Sequence, residues 1–83
     1  MQKISKGTFE RANSTDLPAI RFSVDYGNSL FTRAYNAVIL NGTGYACFLD
    51  TTCSIQHGYY KGSPEEVENE YWAFAKDAER FYA

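Results

Sequence analysis

From Ala19 to Tyr26 the chain alternates, with Ile20, Phe22, Val24 and Tyr26 on one side and Ala19, Arg21, Ser23 and Asp25 on the other. A period of two marks a strand with one buried face. Gly27-Asn28 follows as a turn. Leu30 to Leu40 reads as a second strand, Asn41-Gly42 as a type I′ hairpin dipeptide, and Thr43 to Asp50 as a third strand. Thr52 to Tyr60 reads as a fourth strand or an extended return, broken by Gly58 and Gly62. The period then changes. Val67, Tyr71, Phe74, Ala78 and Phe81 recur at alternating spacings of four and three, which makes one apolar stripe on a helix. Ser63 serves as its N-cap, Pro64 as its first residue, and Glu66 completes a capping box.

The turns imply a register. A two-residue loop at Asn41-Gly42 sets Leu40 opposite Thr43, Val38 opposite Tyr45, Tyr35 opposite Phe48 and Arg33 opposite Asp50. A two-residue loop at Gly27-Asn28 sets Ile20 opposite Tyr35, Phe22 opposite Arg33 and Val24 opposite Phe31. Both hairpins put their apolar residues on the same face, the consistency expected of a true register. Ala37, Gly44 and Ala46 are small enough for a helix to approach that face closely. The pattern therefore predicts an α+β domain: a three- to four-stranded antiparallel sheet over 19–60, with one C-terminal helix, 63–82, packed on one face. Residues 1–17 show no clear period and read either as an arm or as an edge strand around Ile4 to Phe9.

Eighty-three residues make a single domain. A core this small must be efficient, and six Phe, seven Tyr and one Trp supply large buried areas. Net charge is −2, which argues against direct nucleic-acid binding. The acid is concentrated in the helix, at Glu65, Glu66, Glu68, Glu70, Asp77 and Glu79. No apolar run approaches a membrane span, and Met1 to Lys6 lacks the apolar core of a signal peptide. A soluble, cytoplasmic protein with Cys47 and Cys53 as free thiols is the expectation.

Little in the chain points to catalysis. Cys47, Asp50, Cys53 and His57 are residue types that bind zinc, but no C-x-x-C pair organises them. With a single His and no Ser/His/Asp arrangement, the expectation is a non-enzymatic protein without metal or cofactor. Arg21, Arg33, Tyr59, Tyr60 and Lys61 form an alternative, a small RNA- or DNA-binding module that stacks bases.

Two surfaces remain as binding candidates. On the helix flank, Glu68, Trp72, Glu79 and Tyr82 share a strip beside the buried stripe, with Glu65 and Asp77 adding charge. An outward Trp and Tyr among carboxylates suit a protein-binding hot spot facing a basic partner. The back of the sheet is the second, with Leu30, Val38, Leu40, Tyr45 and Leu49. A face this apolar needs cover. A partner, a second copy forming a homodimer, or residues 1–17 would each provide it.

Two families are similar in part. Gly44-Tyr45, Asp50, Cys53, Gly58, Ser63 and Glu65-Glu66 resemble the strand, strand and Ser-x-Glu-Glu helix succession of HicB-type antitoxins. That resemblance implies neutralisation of a small ribonuclease toxin. The whole chain also resembles, in type, small phage-encoded anti-defence proteins such as anti-CRISPRs: single α+β domains, acidic on one surface, without cofactor. That resemblance implies an inhibitor of phage or mobile-element origin that blocks a nucleic-acid-binding surface of a host defence complex.

Overall fold

A computed structural model describes residues 1–27, 30–52 and 54–82, with 78–82 described for their backbone only. The Gly27-Asn28 turn, Cys53 and the side chains of Ala78, Glu79, Phe81 and Tyr82 thus fall wholly or partly outside the described residues. The elements run β1 (Gln2–Lys3), α1 (Lys6–Asn13), β2 (Ile20–Gly27), β3 (Thr32–Leu40), β4 (Thr43–Asp50), β5 (Gln56–Gly62) and α2 (Pro64–Tyr82). Among the described residues the strands form one five-stranded antiparallel sheet in the order β1-β5-β4-β3-β2. The α+β architecture with a C-terminal helix holds, with more strands than the sequence pattern predicts and a helix on each face.

The β3–β4 hairpin has the expected register, with Leu40 opposite Thr43, Tyr35 opposite Phe48 and Arg33 opposite Asp50. Asn41 (φ 51°) and Gly42 (φ 77°) both take the left-handed conformation that a type I′ turn requires. The β2–β3 pairing differs. Ile20 lies opposite Ile39, Phe22 opposite Ala37 and Val24 opposite Tyr35. Gly27 does not turn the chain but continues the strand as the partner of Thr32. The resulting shift of four residues is even, so every side chain keeps its predicted face.

α2 closes one of those faces. Val67 and Phe74 are buried with Tyr35, Ala37 and Ala46, and Phe22, Val24, Tyr26, Phe48 and Tyr71 pack around them. Gly44 lets the first turn of the helix sit directly on β4, since a Cβ there would lie 2.5 Å from Cγ2 of Val67. The capping box is complete: Ser63 N–H donates to Glu66 Oε1 and Glu66 N–H donates to Ser63 Oγ, each at 3.1 Å.

The opposite face is closed from the N-terminal side, where an edge strand is present, at Gln2–Lys3 rather than around Ile4 to Phe9, and is followed by a helix that neither expectation for residues 1–17 included. Gln2 and Lys3 pair with Lys61 and Tyr60, and Lys6–Asn13 is helix rather than strand or arm. Ser5 caps α1, its Oγ accepting from Thr8 N–H at 3.1 Å. Ile4 and Phe9 flank that cap as a hydrophobic staple, and both belong to the cluster formed by Phe9, Ala12 and Val38. Ala19, Leu40, Tyr45, Cys47 and Tyr59 complete this second core.

Candidate functional site

The second candidate surface does not exist as a free face. Val38 is fully buried beneath α1, and Leu40 and Tyr45 pack in the same cluster. Leu49 is half-buried, while Leu30 is exposed between β2 and β3, apart from the other members of the set. Of the three ways to cover the back of the sheet, residues 1–17 provide the cover, because Phe9 and Ala12 fall on one side of a capped helical turn.

On α2 the side chains sort by helical angle. Val67, Tyr71 and Phe74 face the sheet. Glu66, Glu70 and Asp77, spaced by four and seven, line the flank over β4 and β5. Glu65, Glu68 and Trp72 take the outward surface and the flank over β2. Ring contacts confirm the second flank: Trp72 meets Tyr71 edge-on at 5.1 Å, and Tyr71 in turn packs on Phe22 of β2 at 5.1 Å.

The predicted partner-binding residues therefore separate. Asp77 is exposed but already engaged: its Oδ2 accepts from Nη1 of Arg33 at 2.8 Å. Arg33 also donates from Nε to Asp50 Oδ2 at 3.0 Å and lies 4.9 Å over the Phe74 ring. One guanidinium thus ties the later turns of α2 to the far ends of β3 and β4. Burial opposes ionisation of Asp50, but hydrogen bonds from Thr52 and the charge and hydrogen bond of Arg33 outweigh it and hold the carboxyl below its ordinary range. Glu66 is engaged in the cap, and the amide and hydroxyl of Ser63 hold its carboxyl low as well. Glu65, Glu68 and Glu70 make no ion pair among the described residues. Trp72 is 51% exposed. The side chains of Glu79 and Tyr82 lie outside the described residues.

A shallow groove of about 330 Å³ runs between α2 and β5, lined by Met1, Tyr35, Phe48, Tyr60 and Glu70. Sequence reasoning missed it. The signal was the strand parity of Tyr60, which sits opposite Ala46 and so shares its face with α2. Burial, with the charge of Glu70, raises the Tyr35 phenol far above its ordinary range, so this wall stays neutral.

The nucleic-acid set does not form one surface. Tyr59 packs under α1 against Phe9, whereas Tyr60 opens into the groove on the other face. Arg33 is held between two carboxylates, and Arg21 donates to the Asn13 carbonyl at 2.9 Å. Cys47 Sγ lies 3.8 Å from His57 Nε2, and burial pushes its thiol up, away from a reactive thiolate. Among the described residues no group of three or more His, Cys, Asp and Glu is placed to hold a metal ion, and no helix is long and apolar enough to cross a membrane. Compared with known proteins, the chain matches no family model, no curated protein and no solved structure.

Proposed function

We propose that the protein is a non-enzymatic, stoichiometric inhibitor that binds a basic, nucleic-acid-binding surface of another protein through the outward side of α2. The observation that carries this proposal is Trp72, half-exposed on a helix whose neighbouring Glu65 and Glu68 have no ion pair among the described residues. A Trp gives a rigid apolar anchor, and carboxylates without internal partners are available to Lys and Arg of a target. Asp77 is not part of this surface, because Arg33 already engages it. The resemblance in type to small phage anti-defence proteins directs the choice of target to a host nucleic-acid-guided defence complex, which would place the protein in the host cytosol.

The test is competition. The purified protein is titrated against a panel of reconstituted defence effector complexes holding labelled nucleic acid. Displacement at a one-to-one ratio is expected for its target, with an association rate that falls as salt rises. Trp72→Ala, and Glu65→Lys combined with Glu68→Lys, should each abolish displacement while the fold is kept. Displacement by both variants at wild-type concentration, or no displacement across the panel, would overturn the proposal.

A further inference from the structure

The two edges of the sheet are finished differently. At one edge β1 is only two residues long, and the chain leaves it after Ile4 N–H bonds the Tyr59 carbonyl at 2.9 Å. The other edge is β2, eight residues paired on one side to β3. It contains no Pro, and Gly stands only at its end. A long open edge is normally guarded by shortening, by Pro or by charge. Here the only guards within the strand are Arg21 and Asp25.

The backbone phase of that edge follows from β3. Thr32 directs both its groups toward the β4 side, its carbonyl accepting from Thr51 N–H at 3.0 Å and its N–H donating to Thr51 Oγ1 at 2.8 Å. Alternation along an antiparallel strand then turns Arg33, Tyr35, Ala37 and Ile39 toward β2. Their partners Tyr26, Val24, Phe22 and Ile20 point inward, and Arg21, Ser23 and Asp25 present N–H and C=O to the open side. The Ser23 carbonyl agrees with this phase: it accepts a long 3.5 Å bond from the Tyr71 hydroxyl, which reaches it from α2.

We propose that β2 is a self-pairing edge, which joins antiparallel to β2 of a second copy of this chain about a two-fold axis at Ser23. In that register Arg21 lies opposite Asp25 of the second copy, Ser23 opposite Ser23, and Asp25 opposite Arg21. Every one of these pairs has the outward backbone phase, so each exchanges both of its N–H···O bonds. Arg21 and Asp25 form two equivalent cross-strand ion pairs on one face. On the other face Phe22 meets Val24 and Ile20 meets Tyr26, which covers Ile20, otherwise 60% exposed. An axis falling between two residues sets outward groups against inward ones, and an axis on residue 22 or 24 keeps the outward phase but leaves Arg21 and Asp25 opposite uncharged residues. Even shifts that centre the axis on residue 21 or 25 place like charges opposite each other. Asp25 has no ion-pair partner among the described residues, and the Arg21 guanidinium keeps donors beyond the one given to Asn13. The same two charges that repel an unrelated strand thus select a second copy. The axis stands perpendicular to the sheet, so both copies of α2 lie on one side and their outward surfaces stay open. The pairing is independent of the target proposed above.

Charge exchange tests it. Sedimentation or light scattering over a concentration series should show a dimer for the unaltered chain. Arg21→Asp alone, or Asp25→Arg alone, sets like charges opposite each other at two places and should weaken the dimer on the order of 10–100-fold. An equimolar mixture of the two variants, or both substitutions in one chain, restores opposite charges and should restore dimerisation. Residues 21 and 25 are exposed, so the circular dichroism spectrum, and the melting temperature at a dilution where every variant is monomeric, should stay unchanged across the series and separate loss of pairing from loss of fold. A monomer at every concentration, single variants that dimerise as the original does, or a mixture that fails to recover would each overturn the proposal.

Discussion

The two faces of the sheet are closed by helices of unlike construction. α2 runs from Pro64 to Tyr82 and is secured at separate points: the Ser63–Glu66 box and the Gly44 contact at its start, and the Asp77–Arg33 pair later along it. α1 runs only from Lys6 to Asn13 and buries two side chains, Phe9 and Ala12. Its anchors are lighter, a cap, a staple, one backbone bond from Ile4 to Tyr59 and one bond from Arg21 to the Asn13 carbonyl. A helix this short has little intrinsic stability and persists because its apolar side is covered. The comparison assigns global stability to the α2 face and makes α1 the element expected to open first.

The largest effects lie on the α2 face. Phe74 is 8% exposed and touches the rings of Tyr26, Tyr35 and Phe48. Phe74→Ala should cost about 3–5 kcal/mol in urea unfolding. Phe9→Ala removes an equally buried ring from the smaller cluster, and should cost about 3 kcal/mol or less because a short helix can settle into the gap. If Phe9→Ala proves the more damaging, the asymmetry between the faces is wrong. Hydrogen exchange gives a second measure, with Phe9 and Ala12 amides expected to exchange before those of Val67 and Tyr71. Gly44→Ala ranks next. The new methyl would collide with Val67 and the Ser63 carbonyl, and an overpacked site of this kind costs about 1–3 kcal/mol.

How far each face was legible in the sequence follows from the same contrast. The α2 stripe has a long period and a capping signature, and the Asn41-Gly42 turn sets the β3–β4 register by itself. α1 offers two buried apolar residues and a Gly among eight positions, too few for a period to emerge. Its one readable sign was the staple, Ile4 before a capping Ser5 and Phe9 after it. Gly27 misled because a glycine that ends a strand and one that turns it look alike in sequence. The pairing of Asp77 with Arg33 was not legible at all, since the two are 44 residues apart and only the packed sheet brings them together. The groove and the open β2 edge share that origin. Both are properties of strand order, which no local pattern encodes.

The ion pairs near Arg33 sharpen the comparison through pH. Asp50 has a folded-state pKa below its unfolded value. Its ionised form therefore stabilises the fold above the ordinary carboxylate range near pH 4, and that contribution is lost as pH falls through the lowered folded value. Asp50→Asn should be destabilising at pH 7 by about 1–3 kcal/mol, the scale of a charge-assisted hydrogen bond that leaves its partner unmatched. The difference between variant and original should shrink as unfolding is measured at progressively lower pH. A difference that stays constant down to pH 2 would mean that shape, not charge, holds Arg33 in place, and the second anchor of α2 would lose its electrostatic account.

The smallest expected effect bears most directly on function. Trp72 is the one large ring described on the outward surface of α2, and its contact with Tyr71 is edge-on at its rim. Half of it already meets water, so Trp72→Ala removes only part of a large side chain's burial and leaves no closed cavity. A loss of about 1 kcal/mol or less is expected, in the range of an exposed aromatic pair. The helical stripe beneath it, Val67, Tyr71 and Phe74, stays in place and should keep its exchange protection. A loss near that of Phe74→Ala would make Trp72 a third structural ring of the α2 core. A loss below about 1 kcal/mol would instead leave a half-exposed indole beside Glu65 and Glu68, which make no ion pair among the described residues, free for the binding role proposed for it.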